Sequence, residues 1–142
     1  MPAPEANMAM VHAHAVHEHR RDLAQLLATV ADDAVYEDVP RGLRWEGKKE
    51  VERFYLELLG AFPDLDFQLV ARRGGHDHVV EELTATGTHR GPLGGIAPTG
   101  KPVKFRLCIV FPIRPDGTIG GEVVYYDLLG IYRQLGLLPE GL

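Results

Sequence analysis

The order of patterns along the chain predicts an α+β fold, an antiparallel sheet with helices packed on one face. Three observations carry that prediction. Residues 48–59 place Val51, Phe54, Tyr55, Leu58 and Leu59 at i, i+3, i+4, i+7 and i+8, the stripe of an amphipathic helix. From residue 65 onward the chain reads as four successive strands. Their breaks are G-G-H-D at 74–77, a Gly/Pro-rich stretch at 91–100 and R-P-D-G at 114–117. The order is helix, helix, short strand, helix, then the four strands joined by hairpin-like turns, then a short helix, with no repeat and no second domain. A twisted sheet curling around few helices leaves a cone-shaped cavity, the kind of concavity that takes small ligands.

The chain of 142 residues is read as one domain, with 1–7 a flexible lead-in and 136–142 a tail. A net charge of −5 without any block of like charge excludes the basic footprint that nucleic acid requires. The single cysteine, Cys108, lies in an apolar run and reads as a buried thiol. No apolar run reaches the ~18 residues of a membrane span, and the N-terminus lacks a signal peptide's apolar segment. The expectation is a cytoplasmic protein with no membrane partner.

In chain order, Met8, Val11, Ala15 and Val16 give a first helix over 8–19. Its histidines, His12, His14, His17 and His19, do not share one face, and neither Cys nor a close carboxylate completes a ligand set, so no metal is expected. His14, a turn from Val11, can face inward. Asp22 caps a second helix carrying Leu23, Leu26, Leu27 and Val30. Residues 34–39 read as a short strand with Tyr36 and Asp38 on one side and Val35 and Val39 on the other; the apolar count favours burying the valines. Residues 40–47 read as a loop holding the only tryptophan, Trp45. In the long strand 78–89, alternation groups Leu83, Ala85, Gly87 and His89, whose small members leave open space. Residues 103–113 form the most apolar strand, with Phe105, Leu107 and Ile109 on one face.

The last strand, I-G-G-E-V-V-Y-Y-D-L-L at 119–129, ends in Asp127. Asp before Leu-Leu-Gly reads as a helix N-cap. A carboxylate against apolar walls equally suits proton transfer, because burial disfavours its charge.

Several stretches together resemble a known family: A-D-D-A-V-Y-E-D-V-P (31–40), G-K-K-E-V-E-R-F-Y-x-E-L-L-x-A-F-P-D-L (47–65), T-G-T-H-R-G-P-L-G-G-I-A-P-T-G-K-x-V-x-F (86–105) and D-G-x-I-x-x-E-x-V-Y-Y-D-L-L-G-I-Y-R-Q-L-G (116–136). The chain resembles the SnoaL-like polyketide cyclases or ester cyclases of the nuclear transport factor 2-like superfamily. The resemblance implies a cone-shaped α+β fold, a curved antiparallel or mixed sheet wrapped around three helices with an internal pocket. It implies cofactor-independent acid/base chemistry, aldol-type cyclisation or isomerisation, on a hydrophobic carbonyl or polyketide-like substrate, with Asp127 as the acid/base group. A non-catalytic binder of the same fold and an epoxide hydrolase of the limonene epoxide hydrolase type are the alternatives. The latter needs an Arg and an Asp where this chain has Leu83 and Ala85. The isomerase type puts its base at Asp38, with His14 and Ile109 at the positions of its oxyanion hole.

These considerations select Asp127, Asp38, His89 and His14 as candidate catalytic residues. Tyr36, Trp45, Phe54, Tyr55, Leu83, Ala85, Phe105, Ile109 and Tyr125 are the candidate substrate-binding residues. With Asp127, Tyr125 is assigned to the inner face, and Asp127 is favoured as a pocket carboxylate that also caps the helix. The expected partner is a small hydrophobic molecule. A homodimer through the outer sheet face is expected as well, with Val110, Val124 and Tyr126 on that face.

Overall fold

The computed structural model describes residues 2–142. Helices α1 (Pro4–His19) and α2 (Leu23–Ala28) come first, then strands β1 (Val30–Asp38) and β2 (Leu43–Glu46), then helix α3 (Lys48–Ala61). Strands β3 (Asp66–Gly74), β4 (His78–Thr88), β5 (Pro102–Pro112) and β6 (Ile119–Tyr126) follow, and α4 (Leu128–Gln134) closes the chain. The six strands form one curved, unclosed sheet in the order β2-β1-β6-β5-β4-β3. All neighbours are antiparallel except β1 and β6, which run parallel. No helix among the described residues is long and apolar enough to cross a membrane.

The helices cover the concave face and divide the core into two clusters. The larger joins Val11 of α1 to inward residues of β4, β5 and β6, including Val79, Ile109, Phe111 and Ile119. The smaller gathers Leu26, Val30, Ala34, Tyr36, Val51 and Tyr55 where α2 and α3 meet β1. Burying each large apolar side chain contributes about 1.5–3 kcal/mol, so the wall of the cone is held mostly by this packing.

Five expectations are corrected. Helix α1 starts at Pro4, inside the expected lead-in; Asn7 is fully buried and donates from Nδ2 to Gly75 O (2.9 Å) and His76 O (3.0 Å), which ties the first turn to the β3–β4 hairpin. β1 begins at Val30, and its buried side is Ala34, Tyr36 and Asp38, while Val39 is exposed. The Trp45 loop holds a strand, β2, which returns through a turn at Gly42 (φ 66°) to pair with β1. The fourth correction concerns the facing of β6. Alternation counted from Ile119 turns Val123 and Tyr125 inward, yet the pairs Ile109–Val124 and Leu107–Tyr126 put Val124 and Tyr126 on the inner face. The break lies at Gly120-Gly121. Gly121 has φ 141°, and the β1–β6 register shifts beside it. An added Cβ at Gly121 would collide with the Val35 carbonyl, so only glycine lets the strands approach there. Cys108 pairs with Tyr125, and both sit on the outer face, the thiol half-buried rather than in the core.

Candidate functional site

A front cavity of about 100 Å³ lies between α3, α4 and the concave sheet. Its lining is largely aromatic and aliphatic, with Phe54, Phe62, Phe67, Phe105, Ile109 and Val124 prominent. Into this apolar space the fold projects two hydrogen-bonded polar assemblies and one unpartnered carboxyl.

The first assembly stands where β1 ends. Asp38 is 5% exposed, and Tyr126 OH donates to both of its oxygens at 2.8 Å. Arg41 adds Nε to Oδ2 at 2.6 Å and its backbone N–H to Oδ1 at 3.1 Å. Arg41 Nη1 also reaches Glu57 Oε1 at 3.5 Å, and the guanidinium lies 6.0 Å from the Trp45 ring centre. Burial raises the Tyr126 pKa, and the Asp38 charge adds to that, so the phenol keeps its proton. For Arg41, burial opposes the charge, but the Asp38 bond and charge outweigh it and the net shift is upward. Asp38 is therefore saturated with donors.

The second assembly joins α1, α3, β1 and β6. Thr29 Oγ1 donates to Leu26 O (2.7 Å), so the 2.8 Å contact with His14 must be donated by Nδ1–H of the imidazole. His14 Nε2 then faces Glu122 Oε2 at 3.1 Å, and Tyr55 OH donates to that same oxygen at 2.9 Å. With its proton committed to Glu122, Tyr55 accepts from Tyr36 OH at 2.6 Å. Burial, and next the charge of Glu122, push both phenols well above their ordinary range. The chain Tyr36–Tyr55–Glu122–His14 thus holds its protons by mutual donation in the interior.

Glu18 is the exception. It follows His14 by one turn of α1, lines the cavity beside Glu122, and has no hydrogen-bond partner among the described residues. Its pKa is raised from 4.5 to about 7, first by burial and then by Glu122, with His14 and Arg21 pulling the other way. Arg72, bonded to Glu81 at 2.6 Å, holds a further inward carboxylate farther along the sheet, and burial raises that one too.

Of the residues selected from sequence, Asp38, Phe54, Phe105 and Ile109 line this cavity. His14, Tyr36 and Tyr55 are buried in the second assembly. His14 and Leu83 border a neighbouring space, and Ala85 is core. Trp45 packs on Phe54 with ring centres 4.9 Å apart, outside the cavity. His89 is fully buried but turned to the Gly/Pro-rich loop: Nδ1 accepts from Thr99 N (3.2 Å), which leaves Nε2 without a partner, and the ring packs on Phe62. Tyr125 is 48% exposed on the outer face.

Asp127 is exposed, caps α4 by accepting from Gly130 N at 2.8 Å, and borders a surface depression with Thr84, Lys104 and Arg106. Because Tyr126 points inward, the next residue points out. Glu18, Arg41, Glu122 and Tyr126 were not selected from sequence. Glu122 had a signal, a lone charge inside an apolar strand; Glu18 had only its spacing from His14.

The chain is a cone-shaped α+β fold with an apolar cavity and buried acidic groups. The chain belongs to the SnoaL-like polyketide cyclase family, whose model matches residues 8–135. Among curated proteins, none matches the sequence. Solved structures share the fold at low identity. TsrD from Streptomyces laurentii has a TM-score of 0.83 at 21% identity over 97% of this chain and 100% of its own. An LEH-like epoxide hydrolase from M. tuberculosis has 0.74 at 22% over 94% and 92%. A protein of ketosteroid isomerase-like fold from Catenulispora acidiphila, in complex with trimethylamine, has 0.76 at 20% over 96% of each chain.

Proposed function

We propose that the chain is a cofactor-independent acid/base enzyme that enolises a hydrophobic carbonyl substrate in the front cavity, as in aldol-type ring closure or isomerisation. The observation that supports this reading best is Glu18. It is an unpartnered carboxyl in an apolar wall with a pKa near 7, matched to taking and returning a proton at neutral pH. In its ionised form Glu18 takes the proton α to the carbonyl, and the C–H electron pair moves into the enolate. Protonated Glu18 then returns that proton to carbon, or to the new alkoxide once a second carbonyl has been attacked.

Burial, and next the charge of Glu122, which lies 3.1 Å from His14 Nε2, keep Glu18 from ionising too early. Glu122 and Tyr126, four residues apart on β6, stand about 13 Å from each other along the strand. In this reading the guanidinium N–H groups of Arg41 that Asp38 does not engage hold a distal substrate oxygen while the reacting carbon lies at Glu18. Holding a flexible chain folded between these ends supplies much of the rate enhancement by positioning alone.

The test is proton–deuterium exchange into 2-tetralone, an enolisable ketone, followed by NMR in D2O. The wild type exchanges the α-protons and Glu18→Gln does not, both binding the ketone equally. Equal exchange in the two proteins overturns the assignment of Glu18. Binding without exchange in either makes the chain a binder of apolar ligands.

A further inference from the structure

Behind the front cavity, between α1 and strands β3 and β4, lies a second space of about 360 Å³. The two share Glu18, Glu122, Leu65, Phe67 and Ile109, so the carboxyls stand at a neck between them. Their linings differ in kind. No residue lining the front cavity is exposed, whereas the rear one is bordered by exposed His12, His19, Arg20, Arg21 and Asp66. The rear charges largely satisfy one another. Arg72 bonds Glu81, His19 lies 3.5 Å from Asp66, and Arg21 donates to Pro63 O and Leu65 O. The exposed charged side chains at its mouth and the carboxyls at the neck, in a space far above the ~10–15 Å³ that one water needs, let water enter the rear compartment between largely apolar walls. A substrate filling the front would seal Glu18 from solvent on that side only.

The geometry points to the rear compartment as a proton passage, through which the Glu18 carboxyl exchanges with solvent while substrate occupies the front cavity. This rests on the acid/base reading of Glu18. The substrate's α C–H bond breaks, its electron pair forms the enolate, and the proton sits on Glu18. That proton passes to water in the rear, a solvent proton replaces it, and return to carbon regenerates the ketone; no oxidant or reductant enters. The groups facing Glu18 along this route are Glu122 from β6, His14 from its own helix, Arg21 from the α1–α2 turn and Glu81 from β4. Without the rear opening, the proton taken from carbon would return to the same carbon, and turnover would leave no isotopic trace.

The test fills the rear without touching the front. Ala15 and Leu69 line only the rear compartment, and Leu69 is 48% exposed, so Leu69→Trp is a second plug that spares the core if Ala15→Phe fails to fold. Exchange of 2-tetralone α-protons in D2O is measured at saturating ketone, with the dissociation constant determined separately. A plugged, folded variant is expected to exchange about tenfold more slowly, as internal return competes with a blocked Glu18, while affinity for 2-tetralone stays at the wild-type value. Unchanged exchange in both plugged variants overturns the passage and leaves the acid/base reading standing. A loss of affinity matching the loss of exchange also overturns it, making the rear the substrate's door. A wild type that binds 2-tetralone without exchange overturns the acid/base reading itself and the passage with it.

Discussion

Glu18→Gln has a stability consequence that needs no substrate. Burial and Glu122 raise the Glu18 pKa from 4.5 to about 7, so between those values the folded protein keeps a proton that the unfolded chain releases. The stabilisation is complete below pH 4.5 and is lost as pH rises through 7. At about 1.4 kcal/mol per pH unit, the loss has an upper bound of about 3 kcal/mol. The carboxyl is half-buried and borders a wettable space, so about 1–3 kcal/mol is the working range. Glutamine keeps the shape and never ionises. The variant should match the wild type at pH 4.5 and exceed it by about 1–3 kcal/mol at pH 8.5. Urea unfolding at the two pH values reads this directly, with Trp45, packed on Phe54, as the fluorophore. Comparing variant with wild type cancels the similar but separate contribution of Glu81. A difference that does not change with pH would refute the claim that the fold holds Glu18 protonated.

Three further outcomes follow from the placements. Asp127→Ala should cost about 1 kcal/mol through loss of the α4 cap and leave 2-tetralone exchange at the wild-type rate; lost exchange in a folded variant would return Asp127 to the chemistry. Arg41→Ala strips Asp38 of its guanidinium donor and the facing positive charge, leaving only the backbone N–H of residue 41, and should cost about 3 kcal/mol in chemical denaturation, much of it recovered by adding Asp38→Asn; a cost below about 1 kcal/mol would show that the pair is solvated. Self-association through the outer sheet, if it occurs, must use Val110, Val123 and Tyr125, since Val124 and Tyr126 face the cavity. Sedimentation at micromolar concentration should then show a dimer that Tyr125→Lys dissociates, and a wild-type monomer would end that reading.

The fold was legible in the sequence because periodicity survives locally: the α3 stripe and the facing of β4 and β5 are all where alternation puts them. The site was legible only in part. Asp38 and Tyr36 were placed on one side of β1, but counting valines favoured the wrong side. Two polar groups that satisfy each other, Asp38 with Arg41 and Tyr36 with Tyr55, can be buried at little cost, and their partners come from other elements. On β6 a single irregularity decided everything after it. Gly120-Gly121 reverses which residues face the core, carrying Glu122, Val124 and Tyr126 in and turning Tyr125 and Asp127 out. Side-chain facing has a period of two, so one slipped residue exchanges the whole set.

That reversal also accounts for where the reactive group lies. The Asp127 carboxyl is exposed, bonded to a helix N-terminus and turned away from the cavity, so it does not meet an apolar ligand held there. The other inward carboxyls are held by partners: Glu122 on β6 accepts from Tyr55 and lies 3.1 Å from His14, and Asp38 on the neighbouring β1 accepts from Arg41 and Tyr126. Each of these is committed to its partners. Glu18 arrives from a helix, opposite Glu122, with no donor of its own, and burial, together with the negative charge from the same strand that withholds Asp127 from the cavity, keeps it protonated up to neutral pH.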